Sequence, residues 1–255
     1  MIEELNEREK LIINKLSTDG VVTVTAMARE LGLSEVTIRG DLRTLEDRGW
    51  LNRKRGGAAP ALHRDIMERQ QCRLEEKNAI ARRAAELVQD GDVIMIEAGT
   101  TIALAARYLL GRRDIHIVTN STLVFSYARL NPMLQITMTG GEFRRATESL
   151  VGPIALDTIS RLNVRLAFVG TDGFSTERGI TTHLAEGGEI VKAMKAHAET
   201  TVLLADSSKF GKAGFISVLP LSEMDMIISD WSLPESAMED LSAAGIHIER
   251  VPYPN

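Results

Sequence analysis

The sequence is poor in cysteine and contains no long hydrophobic run. Cys72 is the only cysteine among 255 residues, which excludes an intramolecular disulfide and a zinc site built on cysteines. No apolar run approaches the roughly 18 residues that a membrane-spanning helix needs. The first residues are acidic, unlike those of a signal peptide. We therefore expect a cytoplasmic protein that does not contact a membrane.

The sequence also lacks the motifs of common cofactor sites and of nucleophilic catalysis. It has neither a GxxxxGK[ST] phosphate loop nor a GxGxxG dinucleotide motif. A nucleophile–base–acid triad is not recognisable. The histidines do not have metal-ligand spacing; they are His63, His116, His183, His197 and His247. We predict that the protein holds no metal and no other cofactor.

Basic residues are outnumbered by acidic ones overall, but their distribution matters more than the total. The formal net charge is −5, which would argue against nucleic-acid binding if it were spread evenly. Residues 1–59 contain ten basic and ten acidic side chains, so the whole acidic excess falls in residues 60–255. Residues 34–57 carry six bases against four acids. The acidity therefore does not exclude DNA binding by the N-terminal segment.

The first part of the chain predicts two helices joined by a short extended segment. Residues 3–17 have apolar side chains at helical spacing, and the β-branched residues 21–24 predict an extended lead-in. The second helix stops at Gly32, which readily adopts the left-handed conformation of a helix C-terminus. Its inward positions are Met27, Ala28 and Leu31.

A third helix follows at once and completes a helix-turn-helix pattern. The Ser34 hydroxyl is a good N-cap, since it can accept from a free amide in the first turn. The apolar positions of this helix are Val36, Leu42 and Leu45. In a helix-turn-helix the N-terminal part of this helix enters the major groove. We predict base contacts from Thr37 and Arg39, because arginine pairs bidentately with guanine, and a phosphate contact from Arg43.

A basic, glycine-rich hairpin is predicted behind this helix. Two short strands around its tip would form a wing beside the DNA groove, and adjacent bases bind phosphate without regard to sequence. A hairpin that only carries solvated charge is the alternative, which the position behind a helix-turn-helix disfavours. The predicted DNA-binding residues are Ser34, Thr37, Arg39, Arg43, Arg53, Lys54, Arg55 and Gly56.

The remainder of the chain predicts an α/β fold. Strands alternate with helices from Leu74 onward, which is typical of a mostly parallel sheet covered on both faces. We therefore expect a small winged helix-turn-helix domain at residues 1–59, a linker at 60–73 that forms a strand or helix, and a larger α/β domain at 74–255. The predicted strands begin at Val93, Ile115, Leu134, Leu166, Thr201, Met226 and Ile246.

Small polar residues follow the ends of five of these strands. In open α/β sheets ligands bind at that edge, where glycine lets amides approach an anion and hydroxyls donate to it. Taken one at a time, such loops are also ordinary turns. The predicted effector-binding residues are Glu97, Gly99, Thr100, Thr101, Thr119, Asn120, Ser121, Gly140, Gly141, Arg144, Asp172, Gly173, Lys192, Asp206, Ser208 and Lys209.

Catalysis by the α/β domain is the rival interpretation. Isomerisation of a sugar phosphate would need a carboxylate base near the sugar carbons. The candidates are Glu97, Asp172, Glu186 and Glu189, with Lys192 as an electrostatic partner. Glu189 and Lys192 are three residues apart on a predicted helix, where they could equally form a surface pair.

Two stretches of the N-terminal segment resemble the signature of the DeoR family of bacterial regulators. Residues 33–46 read LSEVTIRGDLRTLE, and residues 55–58 read RGGA. One departure is Gly40, where family members commonly carry arginine or another polar side chain. The larger segment is similar to the family as well, through GTT at 99–101, TNS at 119–121, GG at 140–141, GTDG at 170–173 and DSSKFG at 206–211.

This resemblance implies a regulator of sugar metabolism. The family's C-terminal domain is similar to ribose-5-phosphate isomerase and is expected to bind a phosphorylated sugar or sugar alcohol. The partners implied are double-stranded operator DNA and that effector, with a homodimer or homotetramer because one winged helix contacts little DNA. The Lys-Gly-Gly-Gly loop of the isomerase is absent. We therefore expect a repressor of a carbohydrate-utilisation operon and no enzyme; the alternative is an isomerase-like enzyme fused to a DNA-binding domain.

Overall fold

The structure is a computed structural model that describes residues 5–254, apart from the side chains of Ser17 and Arg64. The polypeptide divides into two compact units, Met1–Gln71 and Cys72–Asn255. Residues 64–71, inside the predicted linker, form a helix of the first unit.

The first unit consists of helices packed on a small antiparallel sheet of order β1-β3-β2. The predicted helix-turn-helix is confirmed as α2 and α3, and the basic hairpin behind it is β2–β3. The elements are α1 Glu7–Asp19, β1 Val22–Thr23, α2 Val24–Leu31, α3 Glu35–Asp47, β2 Leu51–Lys54, β3 Gly57–Pro60 and α4 Arg64–Gln71.

Local capping fixes where these helices begin and end. Gly32 ends α2 with a left-handed φ of 66°, as its sequence position predicts. Ser34 caps α3, since its hydroxyl accepts from the Thr37 amide at 3.1 Å. The predicted start of the first helix at Glu3 lies outside the described residues, and the described α1 begins after its N-cap, Asn6.

One predicted core position of α3 is wrong. The buried face of α3 runs through Ile38, Leu42 and Leu45, whereas Val36 is 80% exposed. The buried residues recur at intervals of three and four, so they share one side of the helix. Val36 precedes Ile38 by two positions, which turns it roughly 200° away from that side. It therefore lies on the outer surface of α3.

The second unit is an α/β body around a seven-stranded sheet in which every neighbouring pair of strands is parallel. The expected fold class is therefore confirmed. The elements are α5 Leu74–Glu86, β4 Val93–Ile96, α6 Thr100–Arg107, β5 Ile115–Thr119, α7 Thr122–Ala128, β6 Leu134–Met138, β7 Glu142–Arg144, β8 Ser149–Val151, α8 Pro153–Ser160, β9 Val164–Val169, β10 Gly173–Ser175, β11 Gly179–Thr182, α9 Ala185–Ala196, β12 Ala198–Leu204, β13 Ile216–Leu219, β14 Met226–Ser229, α10 Glu235–Ala243 and β15 Ile248–Arg250.

The order of the large sheet, β15-β14-β12-β9-β4-β5-β6, contains a topological switch point. From β4 the chain adds β5 and β6 on one side, and it then returns to add β9, β12, β14 and β15 on the other. The strands β4 and β9 are neighbours, and the loops that follow them run to opposite sides of the sheet. In open α/β sheets the crevice between such loops is where ligands bind.

Two antiparallel additions were not predicted. The hairpin β7–β8 follows β6, and β10, β11 and β13 form a three-stranded sheet. Both lie in the connections that follow strand ends of the large sheet, so they build up the same edge as the switch point.

An ion pair between a buried aspartate just before β4 and a partly exposed arginine in β9 lies near the opposite end of the sheet. Nε of Arg165, in β9, donates to Asp92 Oδ1 at 2.6 Å, and the Gln89 amide donates to Asp92 Oδ2 at 2.7 Å. Burial alone would raise the pKa of Asp92, but the hydrogen bonds from Arg165 and Gln89 outweigh it and lower that pKa below its ordinary value. The folded state therefore favours the ionised carboxylate.

We expect this pair to make stability depend on pH at the acidic end. A folded pKa below the unfolded value of about 3.9 contributes stability that is present above about pH 4 and lost as pH falls through the folded pKa. Asp92→Asn should lower the free energy of unfolding of the second unit by about 2 kcal/mol at pH 7. Urea unfolding from pH 7 to pH 3 should show this difference shrinking as pH falls; a difference that stays constant would contradict the assignment.

Candidate functional site

The exposed side of α3 is the candidate DNA interface. Glu35, its first residue, accepts from the Thr25 hydroxyl at 2.6 Å and from Arg39 Nη2 at 3.0 Å. The Thr25 hydrogen bond, followed by that of Arg39, holds the pKa of Glu35 below its ordinary value. Arg39 is thus exposed but paired, and a base contact from it requires that its guanidinium leave or share Glu35.

The other two predicted residues at the start of α3 take part in the helix cap. The hydroxyls of Ser34 and Thr37 lie 2.8 Å apart, and Ser34 also accepts from the Thr37 amide. Ser34 therefore stabilises α3, and the Thr37 hydroxyl already has a partner within the unit.

Farther along the same surface, α3 has a glycine with open space around it and an exposed arginine. Gly40 is exposed, and a Cβ built on it would meet no atom within 4 Å. Arg43 is exposed and forms no ion pair with any residue in the described part of the chain. Its guanidinium can therefore bind a phosphate without first losing a partner.

The wing carries the three predicted bases in two different states. The Arg53 amide donates to Glu46 Oε1 at 2.9 Å, and its side chain lies 3.7 Å from Glu46 Oε2, so Arg53 is held against α3. Lys54 and Arg55 are exposed at the hairpin tip, where Gly56 turns the chain with a φ of 79°. The tip is thus the part of the wing best placed for phosphate binding.

In the second unit, the residues after β4 and β9 meet at the switch point. Glu97 is buried, and its Oε2 accepts from the Gly170 amide at 3.3 Å. Gly99 precedes α6, whose first two residues, Thr100 and Thr101, are buried. A carboxylate and a helix N-terminus therefore flank the crevice.

The three predicted residues at the end of β5 and just after it are buried, and they differ in which polar atoms lack a partner. Thr119 Oγ1 donates to the Ile96 carbonyl at 2.6 Å, and Ser121 caps α7. Asn120 donates to the Leu150 carbonyl at 3.1 Å, while its Oδ1 is buried without a hydrogen-bond partner among the described residues. Of the three, Asn120 is the one with an unused polar atom.

The residues after β6 position the β7–β8 hairpin. A Cβ on Gly141 would lie 2.5 Å from the Val151 carbonyl oxygen, so the hairpin packs directly on its backbone. Gly140 has a φ of 70°. Arg144 Nη2 donates to Glu186 Oε1 at 2.9 Å. The Glu186 backbone amide, followed by Arg144, lowers the pKa of Glu186 below its ordinary value, which weakens it as a proton acceptor.

Asp172 and Gly173 hold the small three-stranded sheet together. Asp172 Oδ2 accepts from the Thr182 hydroxyl at 3.1 Å and from the His183 amide at 3.0 Å. A Cβ on Gly173 would lie 2.3 Å from the Lys212 carbonyl oxygen. Both residues have packing roles in addition to their place at the edge.

Lys192 lies on the exposed surface of α9 in an ion pair with Glu189, with Nζ 2.9 Å from Oε1. This is the surface pair that the sequence left open as one alternative. Among the described residues, this pair does not connect Lys192 to the strand-end loops.

The loop after β12 is anchored by an arginine that the sequence did not identify. Asp206, which is buried, accepts from the Ser208 hydroxyl at 2.6 Å and lies 3.3 Å from Arg73 Nε. Arg73 Nη2 also donates to Ser207 Oγ at 2.8 Å and to the fully buried Asp230 Oδ1 at 3.2 Å. Arg73 has a left-handed φ of 55° and is the second residue of the second unit.

Lys209 is the last residue of the short 3-10 turn Ser207–Lys209 in this loop, and it is half-buried without an ion pair to any residue between 5 and 254. Among the described residues, the strand-end edge therefore contains a buried carboxamide oxygen without a hydrogen-bond partner and a half-buried cation without an ion pair. Within the described residues, no His, Cys, Asp and Glu side chains group as a metal site would require. None of the described helices combines the length and apolar character of a membrane span.

Comparison with known proteins matches both units to one family. Residues 8–61 match the DeoR-like helix-turn-helix domain, and residues 73–231 match the DeoR C-terminal sensor domain. The HTH-type transcriptional regulator GlpR of Haloferax volcanii is 36% identical over 247 residues, which cover 95% of this chain and 96% of that protein. The lactose phosphotransferase system repressor of Lactococcus lactis is 32% identical over 247 residues, which cover 93% of this chain and 96% of that protein.

Among solved structures, a ribose 5-phosphate isomerase A from Methanocaldococcus jannaschii is 23% identical, with a TM-score of 0.39 over 52% of this chain and 53% of that one. The names of the Haloferax volcanii and Lactococcus lactis relatives agree with the prediction of a regulator and not an enzyme. The chain belongs to the DeoR family and is a DNA-binding transcription regulator with a C-terminal sensor domain.

Proposed function

We propose that this regulator represses a carbohydrate-utilisation operon and is released from its operator by a phosphorylated sugar or sugar alcohol. The relative from Lactococcus lactis is named as a repressor of a sugar system, which supports this choice. The protein acts in the cytoplasm as a homo-oligomer on double-stranded DNA, since one winged helix contacts too few base pairs for high specificity.

The effector site we propose is the strand-end edge between Asn120 and Lys209. These residues follow β5 and β12, which are separated in the sheet by β4 and β9. Three steps between neighbouring strands span roughly 14 Å, which a sugar phosphate and the long lysine side chain can bridge together. Lys209 pairs with the phosphate, and the Asn120 carboxamide accepts from a sugar hydroxyl.

The observation that carries this proposal is the connection between the Lys209 loop and Arg73. Asp206 begins that loop, and the same guanidinium that lies beside Asp206 belongs to the second residue of the second unit. A ligand that moves Lys209 therefore acts on the anchor of the segment through which the chain enters the sensor. Release further requires that the effector bind two states of the protein with different affinity, commonly by about 1–3 kcal/mol.

The experiment measures release of the full-length protein from its own upstream DNA in a mobility-shift assay. Phosphorylated sugars and sugar alcohols are compared with their unphosphorylated counterparts. We expect release by one phosphorylated compound and none by its unphosphorylated form. Release by no member of the panel, or equally by both forms, would contradict a phosphate-sensing function.

Lys209→Gln should raise the effector concentration for half-release at least tenfold. A hydrogen bond to a charged group contributes about 1.5–3 kcal/mol, and each 1.4 kcal/mol corresponds to a factor of about ten. Lys212→Gln is the matched control, because Lys212 is exposed in the same loop region. Equal responses from the two variants would place the phosphate elsewhere. Asp206→Ala is a poorer test, since it disrupts the buried Arg73 network as well.

A further inference from the structure

Val36 is an apolar side chain that does not pack in the core of the first unit. It is the second residue of α3 and is 80% exposed, more than any other large apolar side chain described in the first unit. Burying a side chain of this size contributes about 1.5–3 kcal/mol. In the free protein Val36 does not contribute this burial free energy. It lies at the N-terminal end of α3, the part that enters the major groove in a helix-turn-helix.

The neighbours of Val36 leave its outer surface clear. Val36, Gly40 and Arg43 follow one another at intervals of four and three, so they share the exposed face of α3. The bare Gly40 lets the helix backbone approach another molecule beside the Val36 methyl groups. The polar residues on either side, Glu35 and Thr37, have their partners within the unit.

We propose that Val36 reads the 5-methyl group of a thymine in the operator. Thymine is the base that presents a methyl group in the major groove, and apolar side chains recognise it by contact. Arg43, about one turn beyond Gly40 on the same face, binds a phosphate and sets the register, while Gly40 lets α3 lie close to the base edges. This inference rests on the DNA-binding function and assigns a specificity-determining residue to it.

The test replaces thymine by uracil, which removes the methyl group and keeps the base-pairing edge. A duplex is first selected from random DNA by the full-length protein at fixed salt, and each thymine is then replaced in turn. We expect one thymine in each half-site whose replacement weakens binding about three- to fivefold, the effect of losing one buried methyl. In Val36→Ser the same replacement should have no effect.

Two controls keep the result specific. Val21→Ser removes another exposed valine of the first unit, 69% exposed and outside α3, and should retain full sensitivity to the thymine methyl. The salt dependence of affinity should be the same for Val36→Ser and the unmodified protein, because phosphate contacts set that slope. Both variants replace exposed side chains, so thermal unfolding should match the unmodified protein.

The outcomes separate this inference from the DNA-binding function itself. If a duplex is selected but no thymine shows a Val36-dependent loss, or if Val36→Ser keeps the sensitivity, the inference is overturned alone. If the protein selects no duplex at all, the inference and the DNA-binding function fail together. Loss of the uracil effect in Val36→Ser alone supports the assignment.

Discussion

Replacing Gly57 with alanine is expected to destabilise the first unit by about 2–3 kcal/mol and to weaken DNA binding with it, because overpacking against a rigid neighbour has that cost. Gly57 pairs with Thr23 across β1 and β3. A Cβ on Gly57 would lie 2.2 Å from the Val22 carbonyl oxygen and 3.0 Å from the Thr23 Cα. Both atoms belong to the backbone, so β1 must move away from the base of the wing to make room.

Calorimetry of the full-length protein measures this effect in the transition of the first unit. A midpoint on the order of 10 °C lower is expected for a unit of this size, with no change in the second unit. Gly40→Ala is the control with the opposite sign. Gly40 is exposed in the interior of α3 with open space around it, so alanine should stabilise the helix by up to about 1 kcal/mol. A small midpoint shift in the same direction for both variants would contradict this prediction. It would mean that neighbouring residues move to accommodate the added Cβ at position 57.

The sequence predicted best those elements that local chemistry determines. The strands Ile115–Thr119, Leu134–Met138 and Met226–Ser229 begin where the sequence predicted. The Ser34 cap and the Gly32 C-cap followed from rules that concern a few neighbouring residues. Burial of both faces made the central strands continuous in hydrophobicity, which is why a parallel sheet could be predicted.

Short strands, and one position that packing decides, were missed or misplaced. The strands β7 and β8 are three residues each, too short for a periodic pattern, and β10 is defined by pairing with β11. Val36 was wrongly placed in the core because an apolar residue in a helical window carries no sign of which face the other elements cover. The hairpins were missed because their strands are short, whereas tertiary packing decided the position of Val36.

The candidate effector site shows the same division. Topology brings the predicted loops to one edge, as strand alternation suggested, yet most of their side chains are hydrogen-bonded within the unit. The sequence could not separate those roles from ligand contacts, since Gly, Ser, Thr and Asp serve in both. Arg73 was left without a role because its partner Asp230 is 157 residues away in the chain.

Arg73→Met is expected to lower the free energy of unfolding of the second unit by about 3 kcal/mol, because it leaves buried carboxylates without their cation. Asp206 and Asp230 are 3% and 0% exposed. Methionine keeps an unbranched side chain and the same left-handed backbone strain, so the change isolates the loss of the guanidinium. Urea unfolding measures the effect. Arg82→Met, on the exposed side of α5, should change stability by well under half as much.

A double variant tests whether the loss arises from the carboxylates. In Arg73→Met with Asp230→Asn, one of the uncompensated charges is gone, so the combined loss should be smaller than the sum of the two single losses. Additive losses would mean that Arg73 acts through packing of its stem and not through charge.

Arg73→Lys separates the charge of this residue from its geometry, and this bears on how the sensor responds. Lysine supplies a cation, but a single ammonium cannot reproduce the planar fork that reaches Ser207 and Asp230 while lying beside Asp206. We expect a loss of about 1–2 kcal/mol in stability, of the size of one or two hydrogen bonds. If the Asp206 loop carries the response, the variant should still bind DNA yet need more effector for release. Mobility-shift titration with the phosphorylated compound that releases the unmodified protein measures this. An unchanged release curve beside the reduced stability would limit Arg73 to holding the fold together and leave the effector response to another route.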